Sequence, residues 1–397
     1  MNILFISKYY PDSLIPNFQK YTKIGLDFAA QNLHKALLKG FQENKQKIDI
    51  INVPILGSFP PYYKSPFVSE YVSEKEHLKS ISYINISYIK RLDINRKIEK
   101  EAIKWCNITT GKKIIFFYNF SALPILSKIK KKYKDVKACL LLTDLPEYMS
   151  TDNSILTRIN KSIRSIFFAD DKKYFNLVDG FVLLAPDMRE RIPIENKPWI
   201  HIEGIFNPEG IDINVDKDKE KVILYTGNIS KRYGIIDLLD AFSKIKSPDY
   251  RLWIRGNGDT YDEIQHRMQK DNRIVYFDKM SKQELTILQK RATILINPVH
   301  SYEEFTRFFF PSKTLEYLAS KTPTLMAPLK CIPKEYKDYV YYFDDETVEG
   351  MAKKIIEICE KDSCKLTDFG NTASQFIIEN KTPKPQVEKI ISFINTL

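Results

Sequence analysis

The sequence predicts an α/β protein built from two open parallel sheets, one after the other. Short apolar runs alternate with amphipathic stretches through all 397 residues, the order expected when helices cover both faces of a sheet. The runs are apolar almost throughout, as in strands buried on both sides. A polar, turn-rich stretch from Ile202 to Lys221 (IEGIFNPEGIDINVDKDKEK) divides the series near its middle, and a chain this long exceeds one ordinary domain.

In the first half the expected strands are Asn2 to Ser7, Ile48 to Pro54, Lys113 to Asn119, Ala138 to Thr143 and Gly180 to Ala185. Between the first two, Leu26, Ala30, Leu33 and Leu37 fall at helical spacing and predict a helix that stops at Gly40. In the second half the strands are Val222 to Gly227, Tyr250 to Gly256, Arg273 to Phe277, Ala292 to Pro298 and Thr324 to Pro328, with a helix after each of the first four. The tail PKPQVEKIISFINTL predicts a terminal helix after a proline-containing break. The expected domains are 1–203, 204–375 and a C-terminal helix, 376–397, packing back toward the N-terminal domain.

A hydrophobic content of 43% supplies two real cores. Cys106, Cys139, Cys331, Cys359 and Cys364 are scattered and never spaced C-x-x-C, which argues against a disulfide framework or zinc site and for a reducing cytoplasm. The opening MNILFISKYYPD has no basic leader and reads as a strand, and no apolar run is long enough to span a bilayer. The net charge of +11 is uneven. The first 200 residues carry 32 Lys and Arg against 20 Asp and Glu, and the remainder is nearly neutral. The excess is densest in SKIKKKYKDVK (Ser127 to Lys137). It reads either as a solvated lysine-rich helix or as a face for an anionic membrane surface, in preference to nucleic acid.

Open parallel sheets bind ligands beyond the carboxyl ends of their strands. In YTGNISKRYG (Tyr225 to Gly234), Gly227 allows close backbone approach beside Asn228, and Lys231 and Arg232 suit a diphosphate, unless they are two solvated cations on a tight turn. RGNGD adds Gly256 and Gly258 but is not a G-x-G-x-x-G fingerprint, and no P-loop occurs. NPVHSYEEF carries Glu303 and Glu304. In FFFPSKTLEYLASKTP, Ser312 is the expected N-cap of a helix. Lys313, with the first-turn amides of Ser312, Lys313 and Thr314, suits a phosphate, and Glu316 suits a ribose diol. An ordinary helix start with an acidic residue near its positive end is the plainer reading.

Together YTGNISKRYGIIDLLDAF, LWIRGNGD, LINP and FPSKTLEYLASKTPTLMAP resemble the family 4 (group 1) retaining glycosyltransferases of the two-Rossmann GT-B fold, especially bacterial enzymes of capsule and exopolysaccharide assembly. In the first half the resemblance rests on IGLDFAAQNLHKALLKG and TDLPEYM (Thr143 to Met149). It implies two Rossmann-like domains facing across a cleft, with the acceptor on the first and a nucleoside-diphosphate sugar, UDP-sugar favoured, on the second. It also implies a lipid-linked glycan acceptor, a protein in the cytoplasm or peripheral on the membrane's cytoplasmic face, no metal and no further cofactor. The leaving phosphate takes the acceptor proton, so no dedicated base is implied. The family's first glutamate falls on Phe308, leaving Glu304 for the sugar. Its phosphate-binding Arg and Lys fall on Asn228 and Tyr233, leaving Lys231 or Arg232. The glycine closing the Glu316 helix is Lys321, and Asp144 stands where a histidine is usual. The expected catalytic groups are Glu304, Asp144 and Lys313. Two alternatives are a sugar-nucleotide epimerase of the same fold, which would use a histidine such as His300, and a binding subunit that has lost catalysis.

Overall fold

A computed structural model describes residues 1–26, 28–87, 89–145, 173–194, 196–209 and 213–397. Within TDLPEYM, residues 146–149 lie outside the described residues. The chain forms two compact units, Met1–Ile205 with Pro383–Leu397, and Phe206–Thr382.

The first unit is built on β1 (Asn2–Ser7), β2 (Ile48–Asn52), β3 (Phe67–Val68), β4 (Tyr71–Ser73), β5 (Leu78–Ser80), β6 (Tyr83–Ile84), β7 (Lys113–Tyr118), β8 (Lys137–Leu142), β9 (Gly180–Leu183) and β10 (Trp199–His201). Eight of these form a sheet in the order β10-β9-β8-β7-β1-β2-β5-β4, and β3 pairs with β6 apart from it. All its ladders are parallel except β4 with β5. Strand order reverses between β1 and β7, the position at which such sheets take ligands.

The helix Phe28–Glu43 runs through Gly40 rather than stopping there. A Cβ on Gly40 would stand 2.3 Å from Val387 Cγ2 and 2.5 Å from the Pro383 carbonyl oxygen. The glycine therefore gives the terminal helix Pro383–Asn395 its seat instead of ending its own helix, at a cost of about 1 kcal/mol in helix propensity. That seat lets Val387, Ile390 and Ile394 enter the core of Phe5, Phe41 and Phe116, each contributing about 2 kcal/mol by burial. The segment that returns to the first unit begins at Pro383, not at 376, because Ser363–Asn380 is one helix of the second unit.

The second unit holds β11 (Lys221–Asn228), β12 (Tyr250–Asn257), β13 (Ile274–Phe277), β14 (Ile294–Asn297), β15 (Thr324–Met326) and β16 (Tyr341–Tyr342). Its parallel sheet has the order β13-β12-β11-β14-β15-β16, with the reversal between β11 and β14. β11 pairs β12 over its full length, to Asn228 opposite Asn257, but meets β14 only at Ile223 and Leu224. The carboxyl end of β11 therefore stands free of β14, at the switch point, and other groups must satisfy it.

Candidate functional site: the carboxyl ends of β11, β12 and β14

Tyr317 satisfies the free end of β11. Its hydroxyl accepts from the Thr226 N–H at 2.7 Å and donates to the Thr226 carbonyl at 2.9 Å. Residues of a strand alternate their hydrogen bonds between its two neighbours, and Thr226 faces the side that β14 has vacated. Burial raises the Tyr317 phenol well above its ordinary pKa, so the donor proton stays in place. The helix Lys313–Ala319 is thereby fixed at the strand end, which places Lys313 and Glu316 half-buried beside it.

Lys313 Nζ lies 2.7 Å from Glu316 Oε2. The two side chains expected to take phosphate and ribose separately are thus paired with each other. Ser312 occupies the N-cap position but makes no capping bond, because its backbone is already helical at φ −53° and ψ −27° whereas a cap needs an extended residue. Thr314 is buried beneath the first turn, and its hydroxyl has no partner among the described residues. Lys321 follows the helix at φ +65°, the left-handed geometry that a glycine usually supplies at this point. A Lys321→Gly variant is expected to gain about 1 kcal/mol of stability by relieving that conformation, read as a higher midpoint in urea denaturation.

The loops after β11 and β12 form one clasp. Asn228 Oδ1 accepts from the backbone N–H and hydroxyl of Ser230, and Asp259 Oδ1 accepts from the Lys231 N–H at 3.0 Å. A Cβ on Gly256 would stand 1.8 Å from the Gly227 carbonyl oxygen, and one on Gly258 would stand 2.6 Å from the Ser230 nitrogen. The two glycines therefore allow the strand ends to close on each other. Gly234, at φ +76°, approaches the Pro298 carbonyl, which a Cβ there would meet at 2.0 Å. The first loop is so drawn against the end of β14. Lys231 is exposed. The Arg232 guanidinium lies 3.8 Å above the Phe305 ring, a cation–π contact that orders it over the turn Glu304–Arg307.

Phe308 and Phe310 are buried, and Phe309 stacks on Phe305 at 5.4 Å. The three phenylalanines follow a short turn rather than a strand, and they support the loop between β14 and the Lys313 helix. Glu304 is exposed at the start of that turn. His300 is buried, with Nε2 2.6 Å from Asp237 Oδ2 and Nδ1 3.4 Å from Glu346 Oε2. These contacts tie it to the framework of the unit, a structural role rather than that of an epimerase acid. Asp144 belongs to the first unit, where it follows β8 and is exposed.

The first unit also holds a constellation that the sequence reading missed. The loop leaving β1 is gripped by side chains at its backbone. The Lys8 N–H donates to His34 Nε2, the Tyr9 N–H and carbonyl bind Asn52, and the Tyr10 N–H and carbonyl bind Gln31. Lys8 Nζ donates to Ser121 Oγ across the β1/β7 switch point. These side chains fix a loop that carries no glycine. The signal in the sequence was Gln31 and His34 beside the apolar positions of AAQNLHKALL.

Two parallel-sheet units, each with a reversal of strand order at its switch point, make up the GT-B fold. Within it, residues 207–376 match the model of the glycosyl transferases group 1 family, and this domain belongs to that family. Solved structures share the fold across the whole chain. Sucrose-phosphate synthase from Thermosynechococcus elongatus has 14% identity and a TM-score of 0.63, covering 100% of this chain and 98% of its own. Anabaena HepE in complex with UDP has 12% identity and a TM-score of 0.62, with 100% of both chains covered. The apo lipopolysaccharide outer core galactosyltransferase WaaB has 13% identity and a TM-score of 0.62, covering 100% of this chain and 99% of its own. No curated protein sequence matches the chain.

Proposed function

We propose that the protein is a retaining glycosyltransferase that moves a sugar from a nucleoside-diphosphate sugar to a lipid-linked glycan in cell-surface polysaccharide synthesis. The observation that carries this reading is the Tyr317–Thr226 lock, which holds Lys313 and Glu316 at the switch point of the group 1 domain. Glu316 accepts both ribose hydroxyls. Lys313, Lys231 and Arg232 meet the diphosphate beside Gly227 and the clasp that Asn228, Gly256 and Gly258 hold closed. The Lys313–Glu316 pair is more than a third exposed, and such pairs contribute about 0–1 kcal/mol. A ligand carrying both a diol and a diphosphate therefore replaces it at little cost.

In the transfer, the bond from the anomeric carbon to the leaving phosphate oxygen breaks, and a bond to the acceptor oxygen forms on the same face. The acceptor proton passes to the departing phosphate. The developing charge on that phosphate is met by fixed cations, without a metal ion in this reading. Glu304 contacts the donor sugar in place of Phe308, and Asp144 serves the acceptor side. UDP is the favoured nucleotide, a choice supported by the likeness to HepE, which was solved with UDP. The acceptor's lipid is met at an anionic membrane surface by the basic first half of the chain, on the cytoplasmic face.

A panel of UDP-, GDP- and dTDP-sugars, followed by saturation-transfer NMR and then by nucleotide release in the presence of glycan acceptors, tests this reading. At least one UDP-sugar is expected to give a signal. Silence across the panel would refute it.

A further inference from the structure

Six of the thirteen exposed large hydrophobic residues among the described residues fall in three short stretches of the first unit: Ile24, Tyr62, Phe67, Ile86, Ile89 and Leu92. Leu92 is 74% exposed and Phe67 is 64% exposed. The stretches 20–24, 57–67 and 84–92 are distant in sequence but stitched together by backbone hydrogen bonds. The Lys23 N–H donates to the Tyr62 carbonyl, Lys64 to Tyr21, Phe59 to Asn85 and Asn85 to Pro66. Phe67 pairs with Ile84. Ile89 and Leu92 are one turn apart at the start of the helix Ile89–Ile108, so they share a face.

The same stretches hold Lys20, Lys23, Lys64 and Arg91 and contain no Asp or Glu; Lys90 is turned inward onto the Leu56 carbonyl, and the adjacent Asp93 accepts from the Ile84 N–H and pairs with Lys97. We propose that this cap is the surface by which the protein seats on an anionic lipid bilayer, deepening the membrane reading given above. Apolar side chains would enter the headgroup and acyl boundary, and the cations would meet lipid phosphates. A second copy of the chain is a poor occupant, because two such faces would oppose cation to cation. A nucleic acid would meet the cations but leave side chains such as Leu92 without an apolar partner.

The lysine-rich stretch Ser127 to Lys137 is less suited than its composition suggests. Lys128 pairs with Glu99, and both Lys130 and Lys137 pair with Asp179. Its aliphatic residues Ile129 and Val136 are buried, so it offers charge without an apolar anchor.

The test is co-sedimentation of the full chain with phosphatidylcholine vesicles, with and without about a third phosphatidylglycerol, across a salt series. The wild type is expected to bind the anionic vesicles. The pair Ile89→Ser and Leu92→Ser should lower partition at least about tenfold. The triple Lys20→Glu, Lys23→Glu and Lys64→Glu should remove the preference for anionic lipid. Lys131→Glu with Lys132→Glu should stay within about twofold of wild type. Nucleotide affinity, measured on every variant, should not move, so the membrane seat and the transferase reading fail separately. Absence of wild-type binding, indifference to Ile89→Ser with Leu92→Ser, or a dimer that those substitutions dissolve would each overturn the proposal.

Discussion

A Tyr317→Phe variant is expected to lose about 4 kcal/mol of stability in the unit Phe206–Thr382, although it removes a single oxygen atom. That oxygen is the partner of both the N–H and the carbonyl of Thr226, and Thr226 and Tyr317 are fully buried. β14 runs on to Asn297 but pairs with β11 only at Ile223 and Leu224, so it has parted from β11 before reaching these groups. Each orphaned backbone group in a dry site costs about 1–3 kcal/mol, and phenylalanine offers neither a donor nor an acceptor. Denaturation followed by tryptophan fluorescence should show the loss, since Trp253 lies in the same core cluster as Tyr317. A midpoint equal to wild type would mean that water or a shifted strand replaces the hydroxyl. The variant should also bind nucleotide more weakly, because the helix carrying Glu316 loses its anchor.

The second large effect is a dependence on acid centred on His34. Burial lowers its pKa from the ordinary 6.5 to about 3, with a smaller contribution from the charge of Lys8 against a hydrogen bond to the Ala30 carbonyl that works the other way. Its Nε2 accepts from the Lys8 N–H, and its Nδ1 lies 2.8 Å from the Ala30 carbonyl oxygen. The folded protein therefore holds the neutral ring. Its stabilising contribution is complete above pH 6.5 and is lost as the pH falls toward 3, because the unfolded chain binds the proton first. The loss is about 1.4 kcal/mol per pH unit in that window. A His34→Gln variant keeps an acceptor for Lys8 and cannot titrate. Comparing the two proteins at several pH values isolates the effect from the carboxylates. Parallel pH profiles would contradict it.

Ten strands were legible because each lies in an apolar run bounded by turns or charges, and the local pattern agrees with the tertiary environment. The strands that were not, β3, β4, β5, β6, β10 and β16, are two or three residues long. Their pairing depends on neighbours rather than on any run. Two helix glycines are used for close packing. Gly40 read as a stop but admits the terminal helix. Gly370, which lies inside the helix Ser363–Asn380, would place a Cβ 2.1 Å from the Lys321 carbonyl oxygen. Glycine marks both a helix end and a tight helix contact, and only the partner tells which it is.

The candidate site was legible as a set of residue types at strand ends and illegible as a set of contacts. Lys313 and Glu316 were placed on one helix face, where they stand. Their pairing, the missing cap at Ser312 and the burial of Thr314 depend on backbone angles and packing that spacing does not encode. Lys321 shows the limit from the other side. It holds a glycine's conformation without being glycine, so its role is visible in the backbone and hidden in the residue name.

The most direct test of the account is the affinity of the intact protein for UDP, measured by calorimetry on wild type and on Glu316→Ala. The predicted result is a dissociation constant at least tenfold weaker in the variant, about 1.4 kcal/mol, with the fold unchanged by circular dichroism. Equal affinity in the two proteins would contradict the placement of the nucleotide at the carboxyl end of β11.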